Sequence, residues 1–403
     1  MSSPTPAPSP RHRDTAWQVF LIFLRLGLTS FGGPVAHLGY FREEFVTRRR
    51  WLGEQAYADL VALCQFLPGP ASSQVGLALG LGRAGHAGAL AAWAGFTLPS
   101  AVLLVLFALG IASHGDALAP GALHGLKVVA VAVVAQAVWG MARSLCADGP
   151  RAGIMAAAAA AVLLVPQAGM QVAVIGAAAV AGLLLFAAPP PAAHDPLDLR
   201  IGRRAALGWL ALFLVLLAGL PLAVDFSDDP ALAQVDAFYR AGSLVFGGGH
   251  VVLPLLQAEV VPSGWVDGDT FLAGYGAAQA VPGPLFTFAA FLGASASIGP
   301  AGWSGAALCL AAVFLPAFLL VFGALPFWER LRRAPRARAA LGGVNAAVVG
   351  LLLAALYDPV WTSAILRPQD FVLALAALLA LTVWKLPPWL VVLASAAGGW
   401  LLA

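Results

Sequence analysis

The chain is organised as long apolar runs separated by short polar breaks. Phe96 to Ala112, Gly125 to Met141, Ala205 to Val224, Ala306 to Phe327 and Gly343 to Tyr357 contain a single charged residue, Lys127. They approach or reach the ~20 residues that a helix needs to cross the hydrocarbon of a bilayer. No segment rises above them with the apolar-polar alternation of an outer-membrane barrel strand. The expected fold is all-α and polytopic, with about ten to thirteen membrane segments, since short apolar helices can be spans or re-entrant halves. Two stretches fall outside this pattern. Residues 1–14, rich in Pro and Ser, are expected to be a disordered tail, and residues 189–204, rich in Pro and charge, a cytoplasmic linker.

Composition removes the alternatives. Hydrophobic residues make up 61% of the 403 and charged residues 10%, with mean hydropathy +0.87, where soluble proteins carry about 25% charged residues. Cys64, Cys146 and Cys309 lie in or beside apolar segments without metal-ligand spacing and read as small packing residues. Nothing resembles a nucleotide loop, a zinc motif or a catalytic triad. No enzyme activity, cofactor, metal or nucleic acid is therefore expected.

The sequence repeats itself once, at a nearly constant offset. Arg25, Gly27, Phe31, Gly32, Gly33 and Glu44 recur, in order and with their spacing kept, as Arg240, Gly242, Phe246, Gly247, Gly248 and Glu259. After a single deletion, Trp51, Gln65, Pro68, Gly69 and Pro70 recur as Trp265, Gln279, Pro282, Gly283 and Pro284. After a short insertion, Gly82, Gly85, Gly88 and Pro99 recur as Gly299, Gly302, Gly305 and Pro316. The repeats are taken as residues 15–188 and 205–403.

Arginines give the orientation, because short cytoplasmic loops are enriched in Lys and Arg. In the first repeat Arg42, Arg48, Arg49 and Arg50 follow the Gly-Gly motif, and the later loop Ser113 to Pro120 has no basic residue besides His114. In the second, Val251 to Thr270 has no Lys or Arg, and Arg330, Arg332, Arg333, Arg336 and Arg338 crowd the later loop. Equivalent loops are thus expected on opposite sides of the membrane. That is an inverted-topology repeat, which transporters use to build a midplane site and rock one unit against another. Ala205 to Val224 is read as an extra helix that flips the second repeat.

Two interruptions recur in both repeats: Gly-Gly, as Phe31-Gly32-Gly33-Pro34 and Phe246-Gly247-Gly248-Gly249, and Pro-Gly-Pro, as Pro68-Gly69-Pro70 and Pro282-Gly283-Pro284. A continuous helix cannot pass through either. Irregular backbone at membrane depth survives only inside protein or beside a water-filled cavity, so the four breaks are expected to face a common cavity. A half-helix starting after such a break aims free N–H groups and its positive dipole end at that cavity, which suits an anion. Ser72, Ser73 and Gln74 sit there in the first repeat and Thr287 in the second. Gln65 and Gln279 are further candidate donors. Arg25 and Arg240 either supply fixed positive charge, snorkel to an interface, or pair with Glu44 and Glu259. Glu44, Glu54, Asp59 and Glu259 are the carboxylates available to carry a coupling ion. Glu54 and Asp59, five residues apart, do not share a helical face. His37 and His250 are not equivalent in the repeat, and each reads as a satisfied polar residue.

These motifs resemble those of the chromate ion transporter family in its long, two-domain form. The strings Thr29-Ser-Phe-Gly-Gly-Pro-Val-Ala-His-Leu-Gly-Tyr40, Ala62-Leu-Cys-Gln-Phe-Leu-Pro-Gly-Pro-Ala-Ser-Ser-Gln74 and Gly95-Phe-Thr-Leu-Pro-Ser100 are similar to the family's first-domain motifs. Phe246-Gly-Gly-Gly-His-Val-Val-Leu-Pro254 and Gly274-Tyr-Gly-Ala-Ala-Gln-Ala-Val-Pro-Gly-Pro284 are similar to the second. The resemblance implies a multi-pass protein of the bacterial inner membrane that exports chromate from the cytoplasm and confers chromate resistance, with sulfate as a related oxyanion. The partners expected are thus chromate, with sulfate beside it, the lipid bilayer, and a second copy in a homodimer. A sulfate importer, or a membrane sensor that binds oxyanions without moving them, is the competing reading.

Overall fold

The computed structural model describes residues 14–114, 120–165, 167–187, 202–331 and 333–402. The tail expected at residues 1–14 falls outside these except for Asp14, as does the linker except for residues 202–204. Among the described residues the chain is helical, with no strand. The first repeat comprises α1 (Ala16–Thr29), α2 (Gly33–Arg42, running into a π-helical turn at Glu43–Arg48), α3 (Glu54–Phe66), α4 (Ala71–His114), α5 (Pro120–Leu145), α6 (Gly149–Leu164) and α7 (Ala168–Leu185). Then comes α8 (Arg203–Asp225). The second repeat comprises α9 (Pro230–Leu244), α10 (Val252–Val260, after a 3-10 turn at Gly249–Val251), α11 (Gly268–Ala278) and α12 (Phe288–Ala294, after a 3-10 turn at Leu285–Thr287). It continues through α13 (Gly302–Ala324), α14 (Trp328–Leu331), α15 (Pro335–Ala355), α16 (Thr362–Ala364), α17 (Pro368–Thr382) and α18 (Pro388–Leu402).

Among the described residues five helices are long and apolar enough to cross a membrane, and they contain the five runs singled out in the sequence; six shorter apolar helices accompany them. Leu164, Leu184, Leu214, Val215 and Leu401 all face outward, an apolar surface that a bilayer, and not water, would solvate. The chain is a multi-pass helical membrane protein. Cys64 and Cys309 are fully buried and Cys146 is half-buried.

The two repeats fold alike, and glycine pairs show it. Helix α4 leaves helical geometry at Ala84 and Gly85, and its two arms, residues 71–83 and 86–114, double back so that Gly80 and Gly88 meet backbone to backbone. In the second repeat the same hairpin is made by α12 and α13, with Gly293 against Gly305. Helix α1 lies on the second arm of α4, where a Cβ on Gly27 would come within 2.6 Å of the Gly95 carbonyl. Helix α9 lies on α13 in the same way, with Gly242 against Val313.

The last helices of each repeat are exchanged. Helix α5 packs on α17 and α18, whereas α15 packs on α6 and α7. The seams are equivalent: Gly125 and Gly121 against Gly399 on one side, Gly343 against Gly182 and Ala178 on the other. Small residues let helix backbones approach where lipid offers no hydrophobic drive for association. Helix α8 stays outside this exchange, resting on α9 and α13 with most of its surface exposed.

A Cβ at Gly343 would collide with the Ala178 carbonyl, whereas one at Gly176 meets nothing within 4 Å. Gly343→Val should therefore cost about 3 kcal/mol and markedly lower the thermal midpoint of the purified protein in detergent. Gly176→Val should leave that midpoint unchanged.

Candidate functional site

The two Pro-Gly-Pro breaks are where the repeats cross. Proline stops α3 and α11 just before them, and the central glycines adopt left-handed backbone, with φ +119° at Gly69 and +94° at Gly283. That conformation turns each glycine N–H across the interface. Gly69 donates to the Val245 carbonyl at 2.7 Å and Gly283 to the Ser30 carbonyl at 2.9 Å. Val245 and Ser30 are the residues that close α9 and α1, and they occupy equivalent positions in the two repeats. Each break thus caps the first helix of the other repeat. Ser100 Oγ also donates to the Pro282 carbonyl, while its counterpart Ala317 packs 3.7 Å from where a Gly69 Cβ would be. The Gly-Gly breaks meet as well: Pro34, the residue equivalent to Gly249, lies 3.3 Å from where a Gly249 Cβ would be. Gly32 and Gly247 stay accessible beside them.

Directly after the first crossing, α4 begins. Its first intrahelical bond is Gln74 N–H to the Pro70 carbonyl, so the amides of Ala71, Ser72 and Ser73 have no partner within the helix. His37 Nδ1 lies 3.4 Å from Ser72 Oγ, and its ring also faces the Ser30 carbonyl and stands edge-on to Phe96 at 5.2 Å. Gln74 Nε2 donates to the Pro68 carbonyl at 2.7 Å, which leaves its Oε1 as an acceptor. Ser30 Oγ, His37 Nε2, Ser73 Oγ, Gln74 Oε1 and Thr97 Oγ1 are all buried without a hydrogen-bond partner. Each such group costs about 1–3 kcal/mol when left unpaired. Five such atoms belong to residues around this one crossing.

The charged residues singled out in the sequence lie apart from this crossing. Arg25 is exposed on the outer face of α1. Arg240 is half-buried and held by Asp236 at 2.7 Å and Glu259 at 3.1 Å, so two carboxylates surround its single charge. Glu44 is held by Arg48 at 2.8 Å and Arg49 at 2.7 Å. Arg240 and Glu259 therefore pair, while their counterparts Arg25 and Glu44 do not. Asp59 is buried on α3. Glu54 makes an exposed two-pronged pair with Arg42 at 2.7 and 2.8 Å, and these bonds hold its carboxyl below the usual carboxylate range. Gln65 is exposed in a cleft of about 390 Å³ that this pair also lines. Gln279 Nε2, ahead of the second break, is buried without a partner, and Thr287 donates to the Pro284 carbonyl at 2.8 Å. His250 bonds Tyr275 at 2.8 Å.

Sequence reasoning missed Ser30, His37, Thr97 and Ser100 as members of this pocket. Their common signal was polarity at positions where the other repeat carries Val, Val, Phe and Ala.

These features define a class: a helical membrane protein of two similar, interlocked halves whose paired helix breaks meet at buried polar groups. The chain belongs to the chromate transporter family, whose model matches residues 17–183 and 232–400, one match per repeat and with α8 between them. It is 31% identical to the chromate transport protein of Pseudomonas aeruginosa, over 96% of this chain and 92% of that one. It is 27% identical to that of Cupriavidus metallidurans, over 85% and 82%. An uncharacterized transporter of Bacillus subtilis is 32% identical over 163 residues, 89% of its own length but 40% of this chain. No solved structure matches the chain.

Truncating Arg240 strands two carboxylates that are largely shielded from water. Arg240→Ala should cost about 3 kcal/mol, read as a lowered thermal midpoint in detergent, and Arg240→Lys should recover part of it. Removing the exposed partner through Arg42→Ala should leave the midpoint where it is.

Proposed function

We propose that the protein exports chromate from the bacterial cytoplasm across the inner membrane, conferring chromate resistance, by alternating access at the crossing of the two Pro-Gly-Pro breaks. The observation that carries this reading is the reciprocal capping of Ser30 by Gly283 and of Val245 by Gly69. A tetrahedral oxyanion would be received by the unpaired amides of Ala71, Ser72 and Ser73 and by the hydroxyls beside them, the arrangement by which helix N-termini hold anions. The names of the Pseudomonas and Cupriavidus relatives support chromate as the cargo. Sulfate, of the same shape and charge, would meet the same donors.

The reversed arginine distribution of the two repeats supports an inverted arrangement in the membrane. Rocking one repeat against the other would then open the crossing to either side in turn. The reading assigns no catalytic step to any residue. Direction follows from energetics. Moving a dianion out of a cell that is negative inside releases about 4–5 kcal/mol per 100 mV, so export needs no further coupling. Import would need protons or sodium, and the Asp236–Arg240–Glu259 cluster is where such a coupling would be sought.

Everted membrane vesicles test this. They should accumulate radiolabelled chromate when an inside-positive potential is imposed, with excess sulfate competing. Failure to accumulate, combined with heightened chromate sensitivity in intact cells, would point to import.

A further inference from the structure

Although the two repeats share one backbone at the crossing, their side chains there are opposite in character. At six equivalent positions Ser30 corresponds to Val245, His37 to Val252, Ser72 to Phe286, Gln74 to Phe288, Thr97 to Phe314 and Ser100 to Ala317. All twelve are buried. The first repeat therefore surrounds the start of α4 with hydrogen-bonding groups, and the second surrounds the start of α12 with aliphatic and aromatic ones.

The aromatic side chains fill the space in the second repeat. Phe286 and Phe314 approach to 5.6 Å between ring centroids, and Phe288 stacks among Phe271 at 5.1 Å, Tyr275 at 5.7 Å and Phe291 at 6.0 Å. The hydroxyls kept on that side are occupied, Thr287 with the Pro284 carbonyl and Tyr275 with His250. Around the first break the five polar atoms described remain unpaired; near the second break, Gln279 Nε2 is the exception. An oxyanion needs several donors around it, and the Phe-packed start of α12 leaves no hydroxyl free for one.

We infer that this transporter has one oxyanion site per chain, belonging to the first repeat, and that the matching position in the second repeat is a packed aromatic wall against which the site opens and closes. The inference rests on the proposed oxyanion transport and adds which half holds the cargo. The donors are the amides at the start of α4 with Ser73, Thr97 and His37. The second repeat contributes the Gly283 N–H that fixes the Ser30 carbonyl, and so positions the pocket without binding in it.

Binding of radiolabelled chromate to the purified protein in lipid nanodiscs decides it. One chromate should bind per chain. Ser73→Ala and Thr97→Val should each weaken binding more than tenfold, and Ser73→Thr, which restores the hydroxyl, should stay within about threefold of wild type. Phe288→Leu and Phe314→Leu should bind within twofold of wild type. Two anions per chain, or a loss in the phenylalanine variants equal to that in Ser73→Ala, would overturn the single-site inference while leaving oxyanion transport standing. No chromate bound by the wild type would instead remove the transport reading beneath it.

Discussion

The structure depends on two backbone hydrogen bonds that each repeat gives the other, Gly69 to Val245 and Gly283 to Ser30. In hydrocarbon, a helix that stops leaves carbonyls and amides that water cannot reach, and each unsatisfied one costs several kcal/mol. Here the carbonyl that ends the first helix of one repeat is satisfied by the glycine that breaks the other. Neither break is satisfied in this way within its own repeat. The interruptions therefore require both repeats, and the exchange of α5 against α17 and α18, and of α15 against α6 and α7, holds them in that register through glycine seams.

Much of this was legible in the sequence, because membrane helices announce themselves by length and apolarity, and because the repeat kept its glycines and prolines at a nearly fixed spacing. The paired breaks were found that way, and so was the apolar run that forms α8, although the second repeat was drawn from residue 205 and so took that helix in. The exchange of the terminal helices was not legible, since Gly125 and Gly399 are joined by packing across the whole chain and no local pattern marks a partner so distant. Nor was the hairpin in α4. Gly85 appeared as a repeat match, and Arg83, His86 and three further glycines lie within five residues of it, but the stretch was not read as a turn, which the contact between Gly80 and Gly88 reveals.

The charged residues do not share one environment across the two repeats. Arg25 and Arg240 match in sequence yet sit in different surroundings, because Arg240 has Asp236 one turn before it where Arg25 has Leu21. Intramembrane arginine is costly, and in the second repeat that cost is offset by two carboxylates. The groups that gather at the crossing are neutral: hydroxyls, an amide, an imidazole and helix-end N–H groups. Neutral donors suit a carrier, since a dianion held by fixed positive charge would leave slowly, whereas one held by amides and hydroxyls exchanges its hydration shell for partners of similar strength.

The central claim is that the anion is taken where the two breaks cross. Soaking or co-crystallising the protein with selenate, a tetrahedral dianion carrying an anomalous scatterer, locates it directly. The account predicts a selenium peak beside the amides of Ala71 to Ser73, within hydrogen-bonding reach of Ser73 or Thr97. A peak confined to the exposed Arg25 or to the Arg42–Glu54 cleft, with none at the crossing, would contradict it.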